Sequence, residues 1–286
     1  MDIPANVNDA QKKQVLTVDV EDYFHVSAFE NVIDKYQWKN LEMRVEVNTY
    51  RLLELFDQKQ ARCTFFALGW VAERCPNLIK AIVSQGHELA SHGFAHQRAN
   101  IMTKAQFQED VSSSKKILED ISGQAILGYR APSFSINDTN TWVYQILSDL
   151  GFKYSSSTYP IEHDLYGVPH WPRFKHRRQE AILEIPIPTL RKNTGNMGIG
   201  GGGYFRLYPY WLSKRRIDRY LQEEQQPYNF YFHPWEIDPN QPRVAGASFK
   251  SRLRHYLNLS SMENKVVRLL EDYQWDTMKN VYLGKV

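Results

Sequence analysis

The sequence predicts an α/β fold: a parallel sheet covered by helices and curled toward a barrel, in one domain. Three observations carry this. Short β-type apolar runs alternate with amphipathic helical stretches along most of the chain, a pattern that points to parallel strands with helical crossovers. The chain has 286 residues, long for a small open sheet but ordinary for one barrel. The residues able to do chemistry follow the apolar runs, which is where the C-terminal ends of parallel strands would place them.

In order, residues 15–20 read as a strand, and residues 47–59 as a helix with Val47, Leu52, Leu55 and Phe56 at helical spacing. Residues 61–68 are the next strand. Residues 76–85 form a helix stopped by Gly86, and 87–92 a short strand. Thr103 is a good N-cap for a long helix over 104–121. A strand at 126–129, a helix at 139–150 closed by Gly151, and strands at 152–154 and 180–186 follow. Residues 212–222 are helical, 229–233 a strand, and 248–256 and 262–273 closing helices. Residues 195–203 are Gly-rich and read as a mobile loop. They lack the Lys-Ser/Thr ending of a phosphate-binding loop.

Composition excludes several classes. Net charge is +3, and the two basic runs, 175–178 and 214–216, are too short for a nucleic-acid stripe and read as solvated faces. No apolar stretch reaches the ~18–20 residues needed to span a membrane. Residues 1–13 are polar and lack the apolar centre of a secretory signal, so the chain reads as cytoplasmic. Two cysteines, Cys63 and Cys75, imply no disulfide framework, and Cys63 reads as a buried strand residue. Seven Trp and seventeen Tyr suit either a sugar-gripping surface or a core and its rim.

His92 and His96 stand four residues apart after a strand; on one helical turn they would face one side and could hold a cation. Alone, the spacing also fits two unrelated surface histidines. Asp19, Glu21 and Asp22 crowd the end of the first strand, where three carboxylates repel one another unless solvated or met by a cation. One carboxylate and two imidazoles would leave positions open for water and substrate, as catalytic zinc sites do. Arg130, in Arg-Ala-Pro-Ser-Phe after a strand, could orient a carboxylate. His233 closes the strand before Pro-Trp-Glu and is placed to act as a general acid, or else is a structural histidine.

Taken together, Thr-Val-Asp-Val-Glu-Asp-Tyr-Phe, Ser-His-Gly-Phe-Ala-His, Arg-Ala-Pro-Ser-Phe and Phe-His-Pro-Trp-Glu resemble the polysaccharide deacetylase family, carbohydrate esterase family four with the nodulation-type deacetylase domain. The first and last segments look like the branch found beside exopolysaccharide-export gene clusters. The resemblance spans roughly residues 15–234. It implies a distorted (β/α) barrel of about seven parallel strands and hydrolysis of N-acetyl groups on amino sugars of a polysaccharide or its lipid-linked precursor. It also implies a core over about 15–236, an inserted segment over about 160–209 and C-terminal helices over 248–273.

The resemblance further implies a divalent metal, usually zinc, held by His92, His96 and an acid. The expected assignments are Asp22 as the acidic ligand, with Glu21 as its alternative, and Asp19 as the base. Arg130 would hold that base and His233 would protonate the leaving amine. Pro132, Phe134, Trp171 and Trp235 are the expected substrate-binding residues, with the inserted segment walling the groove. Strand alternation puts Asp19 and Glu21 on one face and Asp22 on the other, unless the strand has already ended. One departure stands out: Ser155 falls where the family has an Asp that pairs with the catalytic histidine. Another carboxylate such as Glu236 would then have to serve, or the protein would be a catalytically weak carbohydrate-binding relative. A small-molecule amidohydrolase is the further alternative on the same fold.

Overall fold

The structure, a computed structural model, describes residues 13–164 and 166–284. The polar N-terminal stretch read above lies outside the described residues except for Lys13. In chain order the elements are β1 (Gln14–Val20), α1 (Val45–Gln58), β2 (Thr64–Ala67), α2 (Gly69–Arg74), α3 (Pro76–Ser84), β3 (Glu88–Ser91), α4 (Lys104–Ser122), β4 (Gly128–Tyr129), α5 (Val143–Asp149) and β5 (Tyr154–Ser155). There follow β6 (His176–Arg177), β7 (Leu183–Glu184), β8 (Thr189–Lys192), β9 (Gly195–Gly198), α6 (Gly202–Leu207), α7 (Tyr210–Glu224), β10 (Asn229–Phe232), α8 (Phe249–Tyr256), α9 (Leu259–Asp272) and β11 (Trp275–Asp276).

The main sheet runs β10-β1-β2-β3-β4-β5-β7-β6, with β11 also beside β1. From β10 to β7 the strands are parallel, which are the seven expected of a distorted barrel. Antiparallel β6 finishes the edge beyond β7. Among the described residues no strand pairing joins that edge back to β10, so the curled sheet is a half-barrel. No helix among the described residues is long and apolar enough to cross a membrane.

Period-two alternation sorts the side chains. Leu16, Val18 and Val20 join Phe65 and the helices in the outer core. Val15 meets Phe66, Ala90, Tyr154 and Leu183 in a second, smaller cluster within the curl. Thr17 and Asp19 share that inner face with Val15, and Asp19 lies opposite Phe66 in register. The inner face therefore carries apolar residues low down and a carboxylate at its C-terminal end.

The helix expected over 139–150 begins only at Val143, whereas the expected start of α4 holds. Thr103 caps α4 and forms a reciprocal pair with Gln106. The glycine-rich stretch is not the loop expected of it. Gly195–Gly198 is a strand of the β8–β9 hairpin, and Gly202 opens α6. The physical reason is close approach. A Cβ on Gly202 would sit 2.2 Å from Glu236 Oε1, and one on Gly201, where φ is +105°, 2.6 Å from the Tyr231 ring. These glycines let two site-bearing side chains pack against the backbone.

Candidate active site

The first functional group comes from the turn after β1. Glu21 and Asp22 are both buried, yet their carboxylates have different surroundings. Asp22 accepts the backbone N–H groups of Tyr23, Arg44 and Val45 at 2.9, 2.6 and 2.8 Å. It thereby caps the start of α1 through a tertiary contact. Burial raises its pKa to about 6 against the opposing effect of those donors. Glu21 instead meets His92 and His96, each offering a ligand atom within 4.8 Å of the others. Asp22, expected as the acidic ligand, is outside this cluster because its oxygens accept backbone N–H groups of its own turn and of the start of α1; Glu21, named as its alternative, is the carboxylate within it.

The two histidines do not share a helical turn as their spacing suggested. His92 follows β3 directly, its N–H bonded to the Ala67 carbonyl. The chain then turns through Gly93 at φ +75° and reaches His96 at φ +49°. Asp110 of α4 accepts the Phe94 N–H at 2.9 Å and holds the turn. His92 Nδ1 lies 2.8 Å from the Arg130 carbonyl. A carbonyl can only accept, so Nδ1 carries the proton and the Nε2 lone pair is free to bind a cation. Burial, reinforced by His96, lowers the His92 pKa to about 4, which keeps the ring neutral as a metal ligand must be.

Glu21 Oε2, a buried oxygen with no hydrogen-bond partner assigned among the described residues, lies 2.7 Å from His96 Nε2. Its other oxygen accepts Trp235 Nε1–H at 3.3 Å. A buried carboxylate oxygen left open toward two imidazoles is the donor set of a borderline-soft divalent cation. Burial alone would raise the Glu21 pKa, but His96, His233 and His92 hold it well below the usual carboxylate range.

Beside this cluster stands Asp19. Its Oδ1 accepts from Arg130 Nη1 at 2.6 Å. Arg130 is wholly buried and is itself fixed by Thr17 Oγ1 and the Ser156 carbonyl, with its guanidinium 4.1 Å from the centre of the Phe66 ring. The other Asp19 oxygen faces His233 Nε2 at 3.8 Å, and Glu21 Oε1 is 3.4 Å from the same nitrogen.

His233 has a carboxylate partner other than position 155. Ser155 donates to Ser157 Oγ at 2.8 Å. Its Asp-like place is left to a residue of another element. Glu236, three residues after His233 in a 3-10 turn begun by Pro234, takes His233 Nδ1 at 2.8 Å. Arg206 of α6 anchors the second Glu236 oxygen at 2.6 Å. Arg206 falls in the segment over 160–209, and nothing local in the sequence marks this contact. Burial works against charge on His233, but Glu21, Glu236 and Asp19 together lift its pKa to about 9.

The expected substrate contacts fare differently. Trp235 is buried with its N–H on Glu21 and its ring stacked between His233 and His255, so it supports the cluster from behind. Pro132 is buried, and Phe134 packs with Tyr159, Ile161, Ile187 and Tyr231. Trp171 donates to Asp138 at 2.8 Å and lines a separate surface concavity with His170 and Arg191. That concavity shares no residue with the groove that reaches His96, so the inserted segment does not wall that groove through Trp171.

Fold and site define an α/β half-barrel with a carboxylate–imidazole cluster at its strand ends. A family model described as Polysaccharide deacetylase matches residues 7–155, and one described as Domain of unknown function (DUF3473) matches residues 156–283. The first covers more than half of the chain, which therefore belongs to the polysaccharide deacetylase family. A peptidoglycan deacetylase of Helicobacter pylori is 33% identical over 112 residues, 39% of this chain and 37% of that protein. A peptidoglycan-N-acetylglucosamine deacetylase of Bacillus cereus is 30% identical over 105 residues, 37% of this chain and 47% of that protein. The matched stretch thus spans less than half of either relative. Among solved structures, a Mycobacterium smegmatis protein named after the same family superposes with a TM-score of 0.62 at 17% identity, covering 98% of this chain and 92% of that one. A peptidoglycan N-acetylglucosamine deacetylase gives 0.52 at 12% identity, covering 96% and 90%. At these identities the likeness is one of fold.

Proposed function

We propose that the protein is a metal-dependent deacetylase that removes N-acetyl groups from amino sugars of a polysaccharide, an exopolysaccharide or its lipid-linked precursor. The observation that carries this reading is the buried cluster of Glu21, His92 and His96, with Glu21 Oε2 open toward the imidazoles and a carboxylate–arginine pair and a carboxylate–histidine pair beside it. Glu21, His92 and His96 would hold the metal, zinc in this reading. When bound, it supplies a Lewis acid for the acetyl carbonyl and lowers the pKa of an attacking water.

The chain's own groups do the rest. Asp19 accepts the proton of the attacking water at the oxygen that Arg130 leaves free. His233 gives a proton from Nε2 to the departing amine as the amide C–N bond breaks, so that acetate and a free amino sugar leave. Glu236 holds His233 through Nδ1, and this supports an active protein over a weak binding relative, since Ser155 need not act. The open groove beside His96 favours a glycan over a small amide.

The test is acetate release from N-acetylglucosamine oligomers, with and without a chelator, for wild type and His92→Ala. Wild type should release acetate, and chelator or His92→Ala should abolish it. No acetate from a range of N-acetylated glycans while metal is bound would sink the proposal.

A further inference from the structure

Helix α8 buries one side and leaves an apolar pair on the other. His255 faces inward, its ring stacked on Trp235 at 4.1 Å and its Nε2 2.7 Å from Gln241 Oε1. Ser248 caps the first turn by accepting the Ser251 N–H at 3.1 Å. The helix is held in place at both ends, yet Phe249 and Leu253 are 81% and 51% exposed. They stand four residues apart, so they share one helical face. Two large apolar side chains left in water on successive turns mark a contact surface, whereas a single stray one would not.

The charge around the pair has one sign. Between Asp238 and Glu263 the chain carries Arg243, Lys250, Arg252 and Arg254 and no acid. Lys250 and Arg254 share Asp164 at 2.6 and 3.2 Å. Arg252 has no acidic partner among the described residues, and Arg243 rests on Tyr256, 4.1 Å from the ring centre. Protein interfaces are depleted of charge at their apolar centre. Here exposed cations sit on the same two turns as Phe249 and Leu253. That mixture suits the boundary of an anionic bilayer, where lipid phosphates meet the cations and apolar tips enter just below them. The surface also adjoins the groove that reaches His96. The loop before α8 approaches it at Gly246, where a Cβ would lie 3.7 Å from Val32 Cγ1, and Val32 and Ile101 are exposed apolar residues of that groove.

We propose that α8 and the loop before it dock the protein on an anionic lipid surface. Phe249 and Leu253 enter the headgroup boundary, and Arg243, Lys250, Arg252 and Arg254 meet lipid phosphates. The docking does not depend on the deacetylase reading. Together with that reading, it brings the groove to the membrane, where a lipid-linked glycan is presented.

The experiment is co-sedimentation of the full-length protein with vesicles of phosphatidylcholine alone and of a two-to-one mixture of phosphatidylcholine and phosphatidylglycerol. Wild type should bind the mixed vesicles at least about tenfold more tightly than the neutral ones, and raising salt from about 0.1 M to about 1 M should release it. Phe249→Ser with Leu253→Ser, and separately Arg243→Glu with Arg252→Glu, should each weaken binding about tenfold or more. All four side chains are exposed, so circular dichroism and thermal unfolding should match wild type. Acetate release from a soluble N-acetylglucosamine trimer should be unchanged in both variants. Mixed vesicles that wild type does not bind, or that both variants bind as wild type does, overturn the docking and leave the deacetylase reading standing. A dimer that the serine variant dissolves, in a protein that ignores vesicles, also overturns it and gives the face to a second copy of the chain. Vesicle binding lost in both variants, without acetate release from any glycan, keeps the docking and removes the deacetylase reading.

Discussion

Glu21 and Asp22 are adjacent and equally buried, yet one faces two imidazoles and the other three backbone N–H groups. Their substitutions should separate cleanly. Glu21→Gln should weaken zinc binding by at least about a hundredfold, since even indirect supports of a metal ligand are worth 10–100-fold, with little loss of stability. Asp22→Ala should keep stoichiometric zinc but lower stability by about 1–3 kcal/mol, because donors at the start of α1 lose their acceptor. Metal analysis and thermal unfolding of both variants check this, and a zinc-free Asp22→Ala that melts like wild type would reverse the assignment. The sequence held part of this answer. Alternation along the first strand would place Asp19 and Glu21 on one face; the strand stops at Val20 and the turn after it brings both carboxylates to His233, whereas family precedent favoured Asp22. What could not be read was the contact from α1 that occupies Asp22, since it joins residues more than twenty positions apart.

Elements explain two further properties. The start of α6 packs against Glu236, so Gly202→Ala sets two effects against each other. In an unobstructed helix, alanine in place of glycine would stabilise by roughly 0.5–1 kcal/mol. Here the added carbon meets the Glu236 carboxylate at 2.2–2.4 Å, which must move away from His233. The variant should therefore lose stability and at least about tenfold in kcat, measured by thermal unfolding and acetate release; a more stable variant of full activity would refute the packing account. A glycine run looks mobile in a sequence because close approach belongs to its neighbours. The second property concerns His87, just before β3, which is buried against Phe56 and Phe65. Burial, with Arg62 adding to it, lowers its pKa to about 4 from an ordinary 6.5. Between those values the unfolded chain binds the extra proton, so this contribution to stability is complete above about pH 6.5 and is lost as pH falls toward 4, at up to about 1.4 kcal/mol per pH unit. His87→Gln should flatten the fall in stability over that window relative to wild type, and identical slopes in denaturant titrations would discard the explanation.

At the scale of the whole molecule, the two matched family regions meet between Ser155 and Ser156, but the sheet ignores that boundary. β1 is hydrogen-bonded to β2 of the first region and to β10 of the second. The site is divided in the same way: Asp19, Glu21, His92, His96 and Arg130 come from the first region, His233 and Glu236 from the second. Arg130 is braced by Ser156 across the boundary. The end of the chain returns to the first region as well, where the Met278 N–H meets Thr64 and the Lys279 N–H meets half-buried Glu88. Alternating strands and helices made the parallel sheet legible in the sequence, but not that its first strand is central, because strand order is set by long-range pairing. A fragment of residues 1–155 would keep all three proposed metal ligands and lose β10 and β11, exposing the unpaired edge of β1 and the apolar face that the second region covers. It should show no near-ultraviolet circular dichroism, no cooperative melt and no zinc binding at the affinity of the full chain, which itself should unfold in one transition. A fragment that melts cooperatively and binds zinc stoichiometrically would mean that the first region folds alone and that the second merely docks on it. The half-barrel would then be two bodies, and the pairing of β1 with β10 would be an interface between them.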